Sequence, residues 1–284
     1  MLLKLGEHSG FCMGVQKAIN AIEKEIKLKK NNLYIYGDLI HNPQTLKYLE
    51  KKGIKTIQQL KNLTGKRIII RTHGVPLQDL NLIKKKAKET INLTCPKVAK
   101  VQNLIKKYSE KKYQIIIAGD KKHPEVIGLK SYANQKPLII SSLEEAKNTK
   151  FPLETILVSQ TTFSLEIFTK IAKILKDQNN SLKIFKTICN STKIRQEEII
   201  KEINQGFNTL IIVGGKNSAN TRRLAEIGHE HSIKTFHLET EKELKNINLN
   251  KNDKIFITGG ASTPKTIISQ IFDELSTCLN RSNL

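Results

Sequence analysis

Short runs of aliphatic and β-branched residues recur along the chain, each closing in small polar residues and giving way to a stretch of helical periodicity. Six stand out: Leu33–Asp38, Arg67–Arg71, Gln114–Asp120, Thr155–Gln160, Thr209–Gly215 and Lys254–Gly260. Continuous apolar runs of this length predict strands buried on both faces of parallel sheets. Between them lie amphipathic segments such as 78–89 and 98–112, whose lysines mark the outer face of predicted helices. The alternation predicts an α/β protein with mostly parallel sheets. No Pro-, Gly- or Ser-rich linker interrupts it.

The cysteines divide this pattern. Cys12, Cys95, Cys189 and Cys278 are separated by 83, 94 and 89 residues, so each interval holds one α/β unit with two of the six runs. Three similar units are expected, over 14–97, 98–190 and 191–284, the last completed by 1–13. Cys12 precedes a helical stripe of Val15, Ala18, Ile19, Ile22 and Ile26. Cys95 precedes Pro96, a residue suited to the first helical position, and Cys189 precedes Ser191-Thr192, which are expected to cap a helix. A helix N-terminus carries partial positive charge and free N–H groups, which favour thiolate over thiol. Cys278 shares the stripe of Ile267, Ile271 and Leu275 in the last predicted helix and is read as a buried small hydrophobe outside the site. The spacings are too wide for a local CxxC motif. Three thiolates converging from three units suit a Zn²⁺ ion with one further ligand, or three irons of a 4Fe-4S cluster with the fourth iron open.

Each unit also carries two polar loops after its strands, where ligands of α/β sheets bind. They are Gly37–Pro43 and Arg71–Pro76, Gly119–Val126 and Ser159–Thr162, and Gly214–Thr221 and Gly259–Pro264. The last pair sets hydroxyl and amide donors beside glycines at helix starts, which suits a phosphate. It matches neither a Walker A loop nor a GxGxxG fingerprint. Any one such loop is an ordinary turn by composition. His41, His73 and His123 fall in these loops, and His123-Pro124-Glu125 sets an imidazole and a carboxyl close together as a proton relay, or Glu125 simply caps the next helix.

Composition adjusts this reading without redirecting it. The 284 residues carry 48 Lys+Arg against 26 Asp+Glu, a net charge of +22, yet all but six of the cations are lysines dispersed along the chain. Aromatic residues are 5% of the chain, so the stacking residues that accompany nucleic-acid grooves are scarce. The excess suits a solvated surface that attracts an anionic substrate or an acidic carrier protein. No apolar run approaches the ~18–20 residues that span a bilayer, and the start lacks the pattern of a secretory signal, so a cytoplasmic protein bound to neither membrane nor nucleic acid is expected. Two rivals fit the same residues: a zinc-bound three-cysteine protein that binds a phosphorylated metabolite, and a basic RNA-binding protein.

In order along nearly the whole chain stand GFCMGV, IHNPQ, RTHGVP, TCP, HPEVIG, SQTT, TICNSTKIRQ, KNSANTRRL and TGGASTP. In these motifs the sequence resembles the 4-hydroxy-3-methylbut-2-enyl diphosphate reductases, iron-sulfur enzymes that close the methylerythritol phosphate route to isoprenoids. The resemblance implies three α/β domains in a trefoil around a central 4Fe-4S cluster held by Cys12, Cys95 and Cys189. It implies that His41, His73, Ser218, Ala219, Asn220 and Ser262 bind the diphosphate, that Thr161 and His123 also contact the substrate, Thr161 orienting its hydroxyl on the open iron, and that Glu125, assisted by His123, delivers protons. It implies electrons from ferredoxin or flavodoxin. Three positions depart from the family pattern: Ala219 replaces a second serine, and Asp120 and Gln102 replace histidines.

Overall fold

The computed structural model describes residues 2–28 and 32–281, with side chains through Thr277. The chain opens with β1 (Leu2–Leu5) and α1 (Met13–Lys27). Next come β2 (Leu33–Tyr36), α2 (Pro43–Lys51), β3 (Lys55–Ile57), β4 (Arg67–Ile70), α3 (Leu77–Lys86) and β5 (Glu89–Asn92). The middle holds α4 (Pro96–Glu110), β6 (Gln114–Ala118), α5 (Pro124–Lys130), β7 (Leu138–Ile140), α6 (Leu143–Asn148), β8 (Thr155–Ser159), α7 (Leu165–Gln178) and β9 (Lys183–Ile184). The last part holds α8 (Asn190–Asn204), β10 (Thr209–Val213), α9 (Ala219–Glu230), β11 (Lys234–Leu238), a 3-10 helix (Glu241–Asn246), β12 (Lys254–Gly259) and α10 (Lys265–Arg281).

These strands form three four-stranded sheets of one design, in the orders β3-β2-β4-β5, β7-β6-β8-β9 and β11-β10-β12-β1, with every pairing parallel. In the third sheet the outer strand comes from the chain's start, because β1 pairs with β12. The six apolar runs are the two central strands of each sheet. In the second sheet Ile116 and Leu157 face one core while Ile115, Ile117, Ile156 and Val158 face another. The third sheet does the same with Leu210, Ile212 and Phe256 against Ile211, Val213, Ile255 and Ile257. Helices on both faces therefore explain why these strands read as unbroken apolar runs.

The outer strands were not predicted. Most are short and carry polar or exposed positions, as in Lys55–Ile57 and Glu89–Asn92, and none holds an apolar run as long as those of the central strands. The segment 78–89 is accordingly not one helix. Helix α3 stops at Lys86, Ala87 turns extended, and β5 begins at Glu89, which pairs with Arg67 of β4 in the ladder and by an ion pair.

By its internal contacts the chain divides into two compact units. One comprises 1–16, 40–48 and 190–284 and carries the β11-β10-β12-β1 sheet. The other comprises 17–39 and 49–189 and carries the other two sheets. Among the described residues no helix is long and apolar enough to cross a membrane.

Candidate active site

In each sheet the strand order reverses between the two central strands, β2/β4, β6/β8 and β10/β12, and the crevice beyond their carboxyl ends is where such sheets bind ligands. The loops that follow those six strands are the polar loops singled out in the sequence.

In the unit carrying β11-β10-β12-β1, the loop after β10 turns at Gly214 (φ 143°) and delivers Ser218 to the N-cap of α9, where its hydroxyl accepts the N–H of Thr221. Ser262, from the loop after β12, places its hydroxyl 3.4 Å from that of Ser218, and both residues are buried. Asn220, in the first turn of α9, is 3% exposed, and neither its amide nitrogen nor its amide oxygen has a hydrogen-bond partner. A buried amide left unpaired costs ~1–3 kcal/mol, so its place here points to a polar ligand. Ala219 beside it is half-buried. His41 belongs to the same unit, and Gly215 lies so close to its carbonyl oxygen that a Cβ there would collide with it. Cys12 is here as well.

The other unit gathers Glu125, Thr161, His123 and His73. Glu125 is 1% exposed, and its carboxyl takes the Thr161 N–H at 2.6 Å on Oε1 and the Thr161 hydroxyl at 2.8 Å on Oε2. Burial pushes this carboxyl up to about 7, against the pull of the two Thr161 hydrogen bonds. Glu125 therefore does not cap α5. The cap is His123, whose Nδ1 accepts the Glu125 N–H at 3.1 Å, so in the neutral ring the proton sits on Nε2. The rings of His73 and His123 meet edge to face at 5.4 Å.

The three cysteines are half-buried and in no disulfide, each immediately before a helix: Cys12 before α1, Cys95 as the N-cap of α4 and Cys189 before α8. Their main chains repeat one contact. The N–H of Cys12 donates to the Ala261 carbonyl, that of Cys95 to Thr72 and that of Cys189 to Thr161, at 3.0, 2.9 and 2.8 Å. Each acceptor is the second residue after the inner strand that pairs with the outer strand leading to that cysteine. Cysteines at helix starts, held alike in three copies of one sheet, fit a thiolate-bound metal or iron-sulfur group. Helix α8 starts at Asn190, so Ser191 and Thr192 lie in its first turn and do not cap it; the Arg195 guanidinium donates to the Ser191 carbonyl and hydroxyl oxygens. The core position expected for Cys278 falls outside the described side chains.

Three supporting residues lie in the motifs but carry no assigned role in the sequence. Gln160 is buried between the loops after β6 and β8: its Oε1 accepts the Asp120 N–H at 3.1 Å and its Nε2 donates to the Thr162 hydroxyl at 2.9 Å. Arg195 donates to the Gly10 carbonyl at 2.8 Å, two residues from Cys12. Arg71 donates to the carbonyl of Gly74 at 3.2 Å, beside His73. Gln160 and Arg71 directly follow a strand and Arg195 lies in the TICNSTKIRQ motif, positions that mark them without revealing their partners. Of the departures, Asp120 turns its carboxylate onto the N–H of Lys122 in its own loop, and the Gln102 amide packs on Gly74, 2.5 Å from where a Cβ would sit.

Fold and site define the class: an α/β enzyme whose chemistry lies in loops beyond parallel strands. Residues 3–276 match the LytB protein family. Over 279 residues the chain is 39% identical to the 4-hydroxy-3-methylbut-2-enyl diphosphate reductase of Caldanaerobacter subterraneus subsp. tengcongensis, covering 97% of this chain and 96% of that one. It is 42% identical to the protein of the same name from Campylobacter hominis, covering 98% and 99%. The solved structure of E-1-hydroxy-2-methyl-but-2-enyl-4-diphosphate reductase from Plasmodium falciparum superposes with a TM-score of 0.88 at 30% identity, over 97% of this chain and 88% of that one. A structure of (E)-4-hydroxy-3-methyl-but-2-enyl diphosphate reductase, described as the terminal enzyme of the non-mevalonate pathway, superposes at 0.68 and 33% identity, over 98% and 100%. The chain belongs to the LytB family and is an oxidoreductase.

Proposed function

We propose that the chain reduces (E)-4-hydroxy-3-methylbut-2-enyl diphosphate to isopentenyl and dimethylallyl diphosphate, taking up two electrons and two protons and releasing water. One observation carries this reading above all: three cysteines outside any disulfide, each hung by its N–H from the same point of a repeated sheet. Cys12, Cys95 and Cys189 would hold a 4Fe-4S cluster, which when bound supplies single electrons and an open iron for the substrate hydroxyl.

The other residues take roles that their surroundings support. Expulsion of a hydroxyl needs a proton, and Glu125, raised to about 7 by burial, holds one near neutral pH. Thr161, hydrogen-bonded to that carboxyl, orients the substrate hydroxyl and passes the proton towards it. His123 assists by fixing the first turn that carries Glu125. Ser218, Asn220 and Ser262 hold the diphosphate from the start of α9 and the loop after β12, with the main chain of Ala219 standing in for a hydroxyl; His41 and His73 complete the anion site. The same reading treats 14–97, 98–190 and 191–284 with 1–13 as three domains, one sheet to each. It places the chain in the cytoplasm with an acidic electron carrier, ferredoxin or flavodoxin, drawn by the +22 charge.

Glu125→Gln tests the central assignment. The substitution keeps the shape and removes the proton, so the reconstituted variant is expected to show an unaltered cluster spectrum and at least a hundredfold lower turnover. A variant as active as the parent would contradict the role given to Glu125.

A further inference from the structure

Two of the loops assigned above to the diphosphate, those of Ser218 and of His41, are held by a residue that belongs to neither. Strand β11 is the outer strand beside β10, and Glu239 is the first residue past its end. The Glu239 carboxylate accepts the Lys216 N–H at 2.7 Å, two residues before Ser218. Its carbonyl accepts the side-chain amide of Gln44, in the first turn of α2, three residues past His41. Its own N–H donates to Glu243 at 2.8 Å, and the second oxygen of that carboxylate pairs with the Lys216 ammonium at 2.9 Å. Two residues earlier on the same face of β11, the His237 ring bonds the Gly214 carbonyl at 2.9 Å. The loop after β10 is thus gripped at Gly214 and at the Lys216 main chain from the end of β11 and at the Lys216 side chain from the 3-10 helix that follows, and the His41 segment is gripped at Gln44 by the same Glu239.

We propose that Glu239 is a positioning residue for substrate binding, setting the spacing between the loop of Ser218 and Asn220 and the loop of His41 so that both meet one diphosphate. This inference rests on the diphosphate reading of those loops and adds a residue that touches no substrate. The arrangement explains why the approach of Gly215 to the His41 carbonyl is so close: two loops tied to one anchor are drawn together. It also explains the use of a carboxylate, since a charged acceptor holds an N–H more strongly than a neutral one.

The test measures binding of inorganic pyrophosphate to the cofactor-free chain by calorimetry, alongside steady-state kinetics of the loaded enzyme. Glu239→Ala is expected to weaken pyrophosphate binding about tenfold and to raise KM by a similar factor with kcat changed less than about twofold. Glu239→Gln, which keeps an acceptor oxygen, is expected to recover most of the loss. Gln44→Met, which cuts only the tie to α2, is expected to weaken binding without altering the thermal unfolding midpoint. Pyrophosphate binding by the parent that Glu239→Ala leaves unchanged would overturn this proposal alone. Absence of pyrophosphate binding by the parent would overturn the reading of the loops, and the proposal with it.

Discussion

Glu125 combines two demands that usually conflict: a carboxyl sealed from water, and one that must exchange a proton. Its burial raises the pKa to about 7 from an ordinary 4.5, so the folded chain binds a proton that the unfolded chain has released across that window. The native state then binds more protons than the unfolded one, and stability falls as pH rises from about 4.5 through 7, by on the order of 1–3 kcal/mol. Glu125→Gln is expected to remove this slope, so its stability relative to the parent should climb over the same range in denaturant titrations of the cofactor-free chain. Parallel curves would show that the carboxyl is not protonated in the fold. In the loaded enzyme, kcat is expected to fall as pH rises through about 7, as the proton is lost. At Gly215 the constraint is steric. Gly215→Ala drives a methyl group into the His41 carbonyl and is expected to cost at least tenfold in pyrophosphate affinity, measured by calorimetry.

At the scale of elements, Cys95 shows function opposing stability. It occupies the N-cap of α4, yet its side chain makes no capping hydrogen bond. Serine is among the best residues for that position. Cys95→Ser is therefore expected to stabilise the cofactor-free chain by up to ~1 kcal/mol in urea titrations while abolishing reductive turnover. A destabilised variant would contradict the cap argument. The legibility of the elements follows the same physics. The central strands were readable because they are buried on both faces over most of their length and so read as apolar runs, as at Leu157 and Ile212. The outer strands were not, since Lys55, Glu89 and Lys183 lie at exposed positions and their pairing depends on a neighbour distant in sequence. The partner of Glu125 was hidden for that reason too. Thr161 lies 36 residues away and reaches the carboxyl because β6 and β8 run in parallel with Ala118 opposite Ser159.

At the scale of the molecule, one four-stranded design occurs three times among the described residues, and its third copy borrows an outer strand from the chain's start. The cysteine intervals announced this repeat, while the common anchoring of Cys12, Cys95 and Cys189 by main-chain N–H groups is a property of the fold that spacing does not reveal. The role of Glu239, Gln160 and Arg195 as holders of loops was equally illegible, because each acts on a segment far from it in sequence or through main-chain atoms of any residue type. The net charge of +22 belongs to this scale as well. Reduction by an acidic carrier protein is expected to slow several-fold between low and about 0.3 M salt, followed by stopped-flow absorbance, as screening shortens the reach of that charge. The most direct measurement is anaerobic turnover of (E)-4-hydroxy-3-methylbut-2-enyl diphosphate with a chemical one-electron donor, on the iron- and sulfide-reconstituted chain and on Cys12→Ser, Cys95→Ser and Cys189→Ser in parallel. The account predicts isopentenyl and dimethylallyl diphosphate from the parent and neither from the variants; no product from a parent that carries its full complement of iron and sulfide would contradict it.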